Sequence, residues 1–162
     1  RVVLLALSIM NELTPDRLPW PPMIFAGCVI AGLVIHWLSA LPLPRELFWP
    51  GIALLGGGLF LDVWAMWTMF SARTNILPHR AADHLVTHGP FALTRNPIYV
   101  GNTIAMLGLA LVLRNGWMLG AAVAAAGLTH NLAVVREEAH LKAKFGKAWD
   151  DYAAKVKRWW LV

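Results

Sequence analysis

Apolar residues in this chain are gathered into long runs rather than spread at amphipathic spacing. Residues 21–41, 97–113 and 116–135 carry no formal charge, and 48–70 carries only Asp62. Together these runs make up about half of the chain. A helix needs about 20 apolar residues to cross a hydrocarbon core of about 30 Å, so each run predicts a membrane span, the third being the shortest. The expected fold is an all-α, multi-pass membrane bundle of about four spans, forming one domain over residues 1–162. Val2–Met10 is apolar but too short to span. It lacks the charged flank and cleavage site of a signal peptide, and the absence of an initial Met suggests a natural N-terminus further upstream.

Two polar stretches interrupt this pattern. The connection from Ser71 to Asn96 is long enough to be expected to carry function. After the last run, Leu141, Phe145, Trp149, Tyr152 and Val156 recur at steps of three and four, opposite Lys142, Lys144, Lys147, Asp151 and Lys155. That periodicity predicts one amphipathic helix over 136–157, lying along the membrane surface or capping the loop, with Trp159 and Trp160 as headgroup anchors. Only Arg114 and Asn115 separate the third and fourth runs, which predicts a tight antiparallel hairpin. Gly116 and Gly120, followed by an Ala-rich segment, are expected to let its helices approach closely.

Composition agrees: 58% of residues are hydrophobic and 14% charged, against about 25% charged in ordinary soluble domains. The single cysteine, Cys28, excludes a disulfide framework within the chain. The net charge of +5 invites a nucleic-acid reading, but its distribution argues otherwise. Of 14 Lys and Arg residues, all but Arg45 and Arg114 fall on one side of the four runs. This is the positive-inside pattern; it places the long loop and the C-terminal helix in the cytoplasm, with a bacterial inner membrane favoured. The basic residues then serve topology and contact with membrane lipids rather than nucleic acid. Trp20, Trp49 and Trp117 stand at run ends, where interfacial aromatics belong.

Gly56-Gly57-Gly58 lies inside an apolar run with no G-x-G-x-x-G pattern, so helix packing or a local kink is expected rather than a phosphate loop. Asp62, an acid within that run, is expected to face protein or water. His36 and His130 have no companion at ligand spacing, while His79, His84 and His88 are interrupted by Gly89-Pro90, so no metal site is expected.

The chemistry concentrates in Asp83-His84-Leu85-Val86-Thr87-His88-Gly89-Pro90-Phe91 through Thr94-Arg95-Asn96-Pro97-Ile98-Tyr99-Val100-Gly101, and in Arg136-Glu137-Glu138. Asn96-Pro97 marks a helix start, with Asn as cap and Pro at the first helical position. Free backbone N–H groups there, beside Arg95, suit an anion. Glu137 and Glu138, at the start of the last helix, suit a cation or ribose hydroxyls. A ligand with both a carboxylate and a positive charge fits the two together.

At these residues the sequence resembles the isoprenylcysteine carboxyl methyltransferase and phospholipid methyltransferase superfamily of integral membrane enzymes. The resemblance runs from Leu85-Val86 to Gly101, then through Glu137-Glu138, Leu141, Phe145-Gly146, Trp149, Tyr152, Val156 and Arg158, about half the chain. It implies an S-adenosylmethionine-dependent methyltransferase acting on a small lipophilic or lipid-linked acceptor. The cofactor-contacting positions it implies are His84, Leu85, Val86, Phe91, Asn96, Pro97, Tyr99 and Glu137, with His88 and Gly89 shaping the loop. Arg95, Tyr99 and Glu138 are the implied catalytic positions. Arg95 would approach an anionic group or pair with Glu137 or Glu138, and Tyr99 and Phe91 would face the sulfonium. A carboxylate acceptor needs no base; an amine needs one, for which Glu138, His84 and Asp62 are candidates. Asn96 replaces the His common in eukaryotic members, Lys157 stands where V-P-R has Pro, and Ala133 stands where prenylcysteine enzymes carry Arg. The last departure points away from prenylcysteine as acceptor. Lys144-Phe145-Gly146 and Trp149 to Tyr152 are also similar to NADPH-dependent membrane sterol reductases, although Glu137-Glu138 is not. A non-catalytic membrane scaffold is the remaining alternative.

Overall fold

A computed structural model describes residues 20–74 and 84–160. His79, Asp83 and the segment Val2–Met10 lie outside the described residues. The helices are α1 (Trp20–Leu38), α2 (Phe48–Ser71), α3 (Pro97–Val112), α4 (Gly116–Thr129), α5 (Val135–Phe145) and α6 (Lys147–Lys155). Among the described residues there is no strand, only an isolated bridge between Pro42 and Asn115. The fold is an all-α membrane bundle. Three helical rods are long and apolar enough to cross a bilayer, and α3 is a shorter apolar helix beside them. Large apolar side chains point outward, with Trp37 at 84%, Trp49 at 75% and Trp67 at 67% exposure. Such a surface belongs against lipid rather than water.

The tightest packing joins α2 to α3. A Cβ on Gly58 would come within 2.6 Å of the Gly101 carbonyl oxygen, and one on Gly51 within 2.9 Å of the Val112 nitrogen. Advancing along α2 therefore means retreating along α3, so the pair is antiparallel. A Cβ on Gly108 would overlap the backbone of Leu55. Backbone-to-backbone approach of this kind is the main source of helix association in lipid, where no hydrophobic driving force separates helix from solvent. Of the three consecutive glycines only Gly58 faces this seam; Gly56 and Gly57 have nothing within 4 Å among the described residues.

Helix α1 packs on α4, where a Cβ on Gly32 would come 3.2 Å from Met118 Cα. A core of Phe25, Met106, Ala110, Met118, Ala122 and Ala125 joins α1, α3 and α4. Gly116 and Gly120 do not form the expected close contact. Among the described residues Gly120 has nothing within 4 Å, and Gly116 faces Leu41. The tight hairpin is present, and Arg114 turns it with a φ of 55°. Arg114 Nε donates to the Leu43 carbonyl at 2.9 Å. Asn115 accepts from Met118 N at 3.1 Å and donates to the Gly32 carbonyl at 3.0 Å, tying three helices at this end.

At the other end α4 does not stop. It passes through a single π turn, His130–Val134, directly into α5. Glu137 and Glu138 therefore lie within a continuous rod, one turn past an inserted residue, rather than at a free helix start. Turns of this type are frequent at functional sites because the extra residue re-aims side chains. The C-terminal helix expected over 136–157 is instead two helices, α5 and α6, broken at Gly146. Gly146 has a φ of 52°, a left-handed conformation open to glycine at little cost, and the break lets α6 turn back onto the loop. The periodic face survives the break: Trp149 and Tyr152 are buried, in edge contact with ring centroids 5.7 Å apart.

Candidate active site

The loop 84–96 is held at both ends by side-chain bonds to backbone. Thr74, just beyond α2, accepts from His84 N and donates to the His84 carbonyl, each at 3.2 Å. Gly89, with φ 62°, sits where a Cβ would press on Thr68 Oγ1 at 3.0 Å, so a larger residue there is both strained and crowded. Residues Gly89–Ala92 form a 3₁₀ turn with Pro90 buried. Tyr152 Oη donates to the Phe91 carbonyl at 2.7 Å, fastening the turn to α6. Burial pushes the Tyr152 phenol above its ordinary pKa, so it remains a donor throughout the physiological range.

The centre of the assembly is Glu138. It is 8% exposed and is approached by three side chains. Arg158 donates Nε to Oε1 and to Oε2, each at 3.1 Å, and a terminal nitrogen to Oε2 at 2.8 Å. Arg95 pairs with Oε2 at 3.4 Å. Asn96 Nδ2 donates to Oε1 at 3.2 Å and to the Arg158 carbonyl at 3.2 Å. Asn96 precedes α3 as expected, but its side chain makes no capping bond; it is drawn to the carboxylate instead. The C-terminal segment is clasped through its backbone as well. Arg95 N donates to the Lys157 carbonyl at 3.0 Å, and Thr94 Oγ1 to the Arg158 carbonyl at 2.9 Å. The Arg158–Glu138 bonds are charge-assisted and so stronger than neutral ones, and they hold the Arg158 guanidinium above its ordinary pKa. Arg95 also stacks over the Trp149 ring, 5.8 Å from its centroid.

Glu137, one residue earlier, is exposed and accepts from Tyr99 Oη at 3.0 Å. The two adjacent acids thus have different surroundings: Glu138 is held by Arg95, Arg158 and Asn96, and Glu137 is bonded only to the buried Tyr99 phenol among the described residues. His84 and His88 are exposed, Leu85 and Phe91 half-buried, and Val86, Pro97 and Tyr99 buried. Sequence reasoning left the contributions of Thr94 and Thr74 unnoticed. Nothing in their local pattern reveals them, because each bonds to backbone that only the fold brings near.

Asp62 is 8% exposed and packs so closely on Gly101 that a Cβ there would overlap its carboxylate. Its Oδ1 has no hydrogen-bond partner among the described residues. Gly101 is two residues from Tyr99, about 200° around the helix, so Asp62 lies across α3 from the Tyr99–Glu137 pair.

The fold and the site define an integral membrane protein whose polar chemistry is collected at one end of an apolar bundle. Residues 47–148 match the phospholipid methyltransferase family, and the chain belongs to that family. A curated relative, the nickel-cobalt-cadmium resistance protein NccN of Alcaligenes xylosoxydans xylosoxydans, is 36% identical over 77 residues, which is 48% of this chain and 36% of the relative. The chain thus spans about a third of that relative's length. No solved structure matches it.

Proposed function

We propose that this chain is an S-adenosylmethionine-dependent methyltransferase acting on a small lipophilic or lipid-linked acceptor, a carboxylate, thiol or amine, at the cytoplasmic face of the membrane. The observation that carries the reading is the Tyr99–Glu137 pair, a carboxylate and a buried phenol 3.0 Å apart near the start of α3. The residues present fit such a cofactor. Glu137 suits ribose hydroxyls or a cation, Phe91 and Tyr99 offer aromatic faces to a sulfonium, and the α3 N-terminus after Asn96 suits a carboxylate. When bound, the cofactor supplies a methyl group already attached to an excellent leaving group. What remains for the chain is to orient the acceptor and exclude water. The clasp around Glu138 holds the loop and α3 in fixed relation, and the apolar bundle lets a lipid tail stay in the bilayer while its head meets the site. With both Glu138 oxygens already bonded to cations, an amine acceptor would lose its proton to His84 or to water.

The test is calorimetric titration of the detergent-purified protein with S-adenosylmethionine and, separately, NADPH. Saturable binding of S-adenosylmethionine is expected, weakened about tenfold in Glu137→Gln, the effect of one charge-assisted hydrogen bond. Saturable binding of NADPH with no heat from S-adenosylmethionine would overturn the reading in favour of a reductase.

A further inference from the structure

An open pocket of about 800 Å³ lies beside the clasp, lined by Arg95, His130, Lys155, Lys157, Arg158 and Trp159 together with apolar residues of the same C-terminal segment. Neither Tyr99 nor Glu137 lines it. We propose that this pocket is a second ligand site, which takes the phosphate of an anionic membrane lipid.

Every charged group in the lining is cationic. Arg95 and Arg158 share the single carboxylate of Glu138, so the two arginines keep an excess positive charge even before Lys155 and Lys157 are counted. Arg95 Nε is buried and has no hydrogen-bond partner among the described residues, an orphan donor beside the pocket. His130 adds a ring nitrogen. Trp159 Nε1 donates to His130 Nδ1 at 3.3 Å, so the proton of the neutral ring resides on Nε2 and the remaining ring nitrogen is also a donor. A concave wall of donors without a carboxylate suits an oxyanion, and Arg with Lys suits phosphate in particular.

The surroundings favour a lipid over a soluble ion. The pocket is several times larger than a bare phosphate, and one wall is the π turn of the rod that spans the bilayer. Trp160, next to the lining residue Trp159, is 57% exposed, as an interfacial anchor would be. Basic pockets beside membrane helices on the cytoplasmic side recognise anionic headgroups by this combination. The backbone at 157–158 is fixed by Arg95, Thr94 and Asn96, so exchanging the exposed lysine side chains leaves the clasp intact.

The site does not depend on methyl transfer, and its test reads binding alone. The purified full chain in detergent is titrated with dihexanoyl phosphatidylglycerol, dihexanoyl phosphatidylcholine and inorganic phosphate, following thermophoresis. Phosphatidylglycerol is expected to saturate a site that weakens about thirtyfold in the double variant Lys155→Gln/Lys157→Gln, the usual contribution of two charges near a membrane surface. The double variant Lys155→Arg/Lys157→Arg is expected to retain binding. Equal affinity for phosphatidylcholine, or undiminished binding in the glutamine variant, would overturn the proposal. Inorganic phosphate binding as tightly as phosphatidylglycerol would overturn the lipid source and leave a soluble-phosphate site.

Discussion

Glu138 and Glu137 are neighbours in sequence, yet they have different partners. Glu138 gathers Arg95, Arg158 and Asn96 and thereby closes the C-terminal segment over the loop. Removing its charge leaves two arginines facing each other at a largely buried point. Glu138→Gln is expected to cost about 2–3 kcal/mol, below the 3–5 of a fully buried pair because Arg158 is 36% exposed. Thermal unfolding in detergent should show it as a clear drop in Tm, whereas Glu137→Gln should leave Tm unchanged and weaken cofactor binding. An equal loss of Tm in both variants would contradict this division. The pair was visible in the sequence as a motif, but the division was not, since it depends on which acid the fold points towards Arg158, twenty positions away.

At the scale of elements, the long apolar runs announced the helices because hydropathy and length alone decide what can span a bilayer. The seams between helices were less visible. Gly116 and Gly120 have the spacing of a packing motif, yet Gly120 meets nothing among the described residues, while Gly58 and Gly101 meet each other's helices. Spacing marks a smooth face without naming its neighbour. Gly58→Ala is expected to destabilise by about 1–3 kcal/mol, as overpacking does, and Gly120→Ala to change stability by less than about 0.5 kcal/mol. Urea or thermal unfolding of the two variants in one detergent compares them; equal effects would mean that α2 and α3 are not so closely joined. Likewise, the step-of-four periodicity of 141–156 continues across Gly146, which is why the sequence suggests one helix where the chain makes two. Gly146→Ala is expected to cost about 1 kcal/mol from the positive φ alone.

For the whole molecule, the distribution of basic residues predicts that the clasp faces the cytoplasm. In a Cys28→Ser background, Lys147→Cys is expected to react with a membrane-impermeant maleimide in inside-out vesicles and not in intact spheroplasts. Arg45→Cys, at the opposite end, should behave the other way round, and the reverse pattern would invert the topology. The apolar bundle then serves as anchor and, in the proposed function, would be the route by which a lipophilic acceptor reaches the polar site. The identity of the acceptor is not legible in any single residue, because a lipid tail, as proposed, would be met by a whole apolar surface rather than by a motif. The central claim is that the polar end transfers methyl groups. Its most direct test is to incubate the purified protein with isotopically labelled S-adenosylmethionine and a total lipid extract, and to follow the label by mass spectrometry. Labelled methyl on a lipophilic product, lost in Glu137→Gln, is the predicted result; an extract that gains no label while the protein remains folded would contradict it.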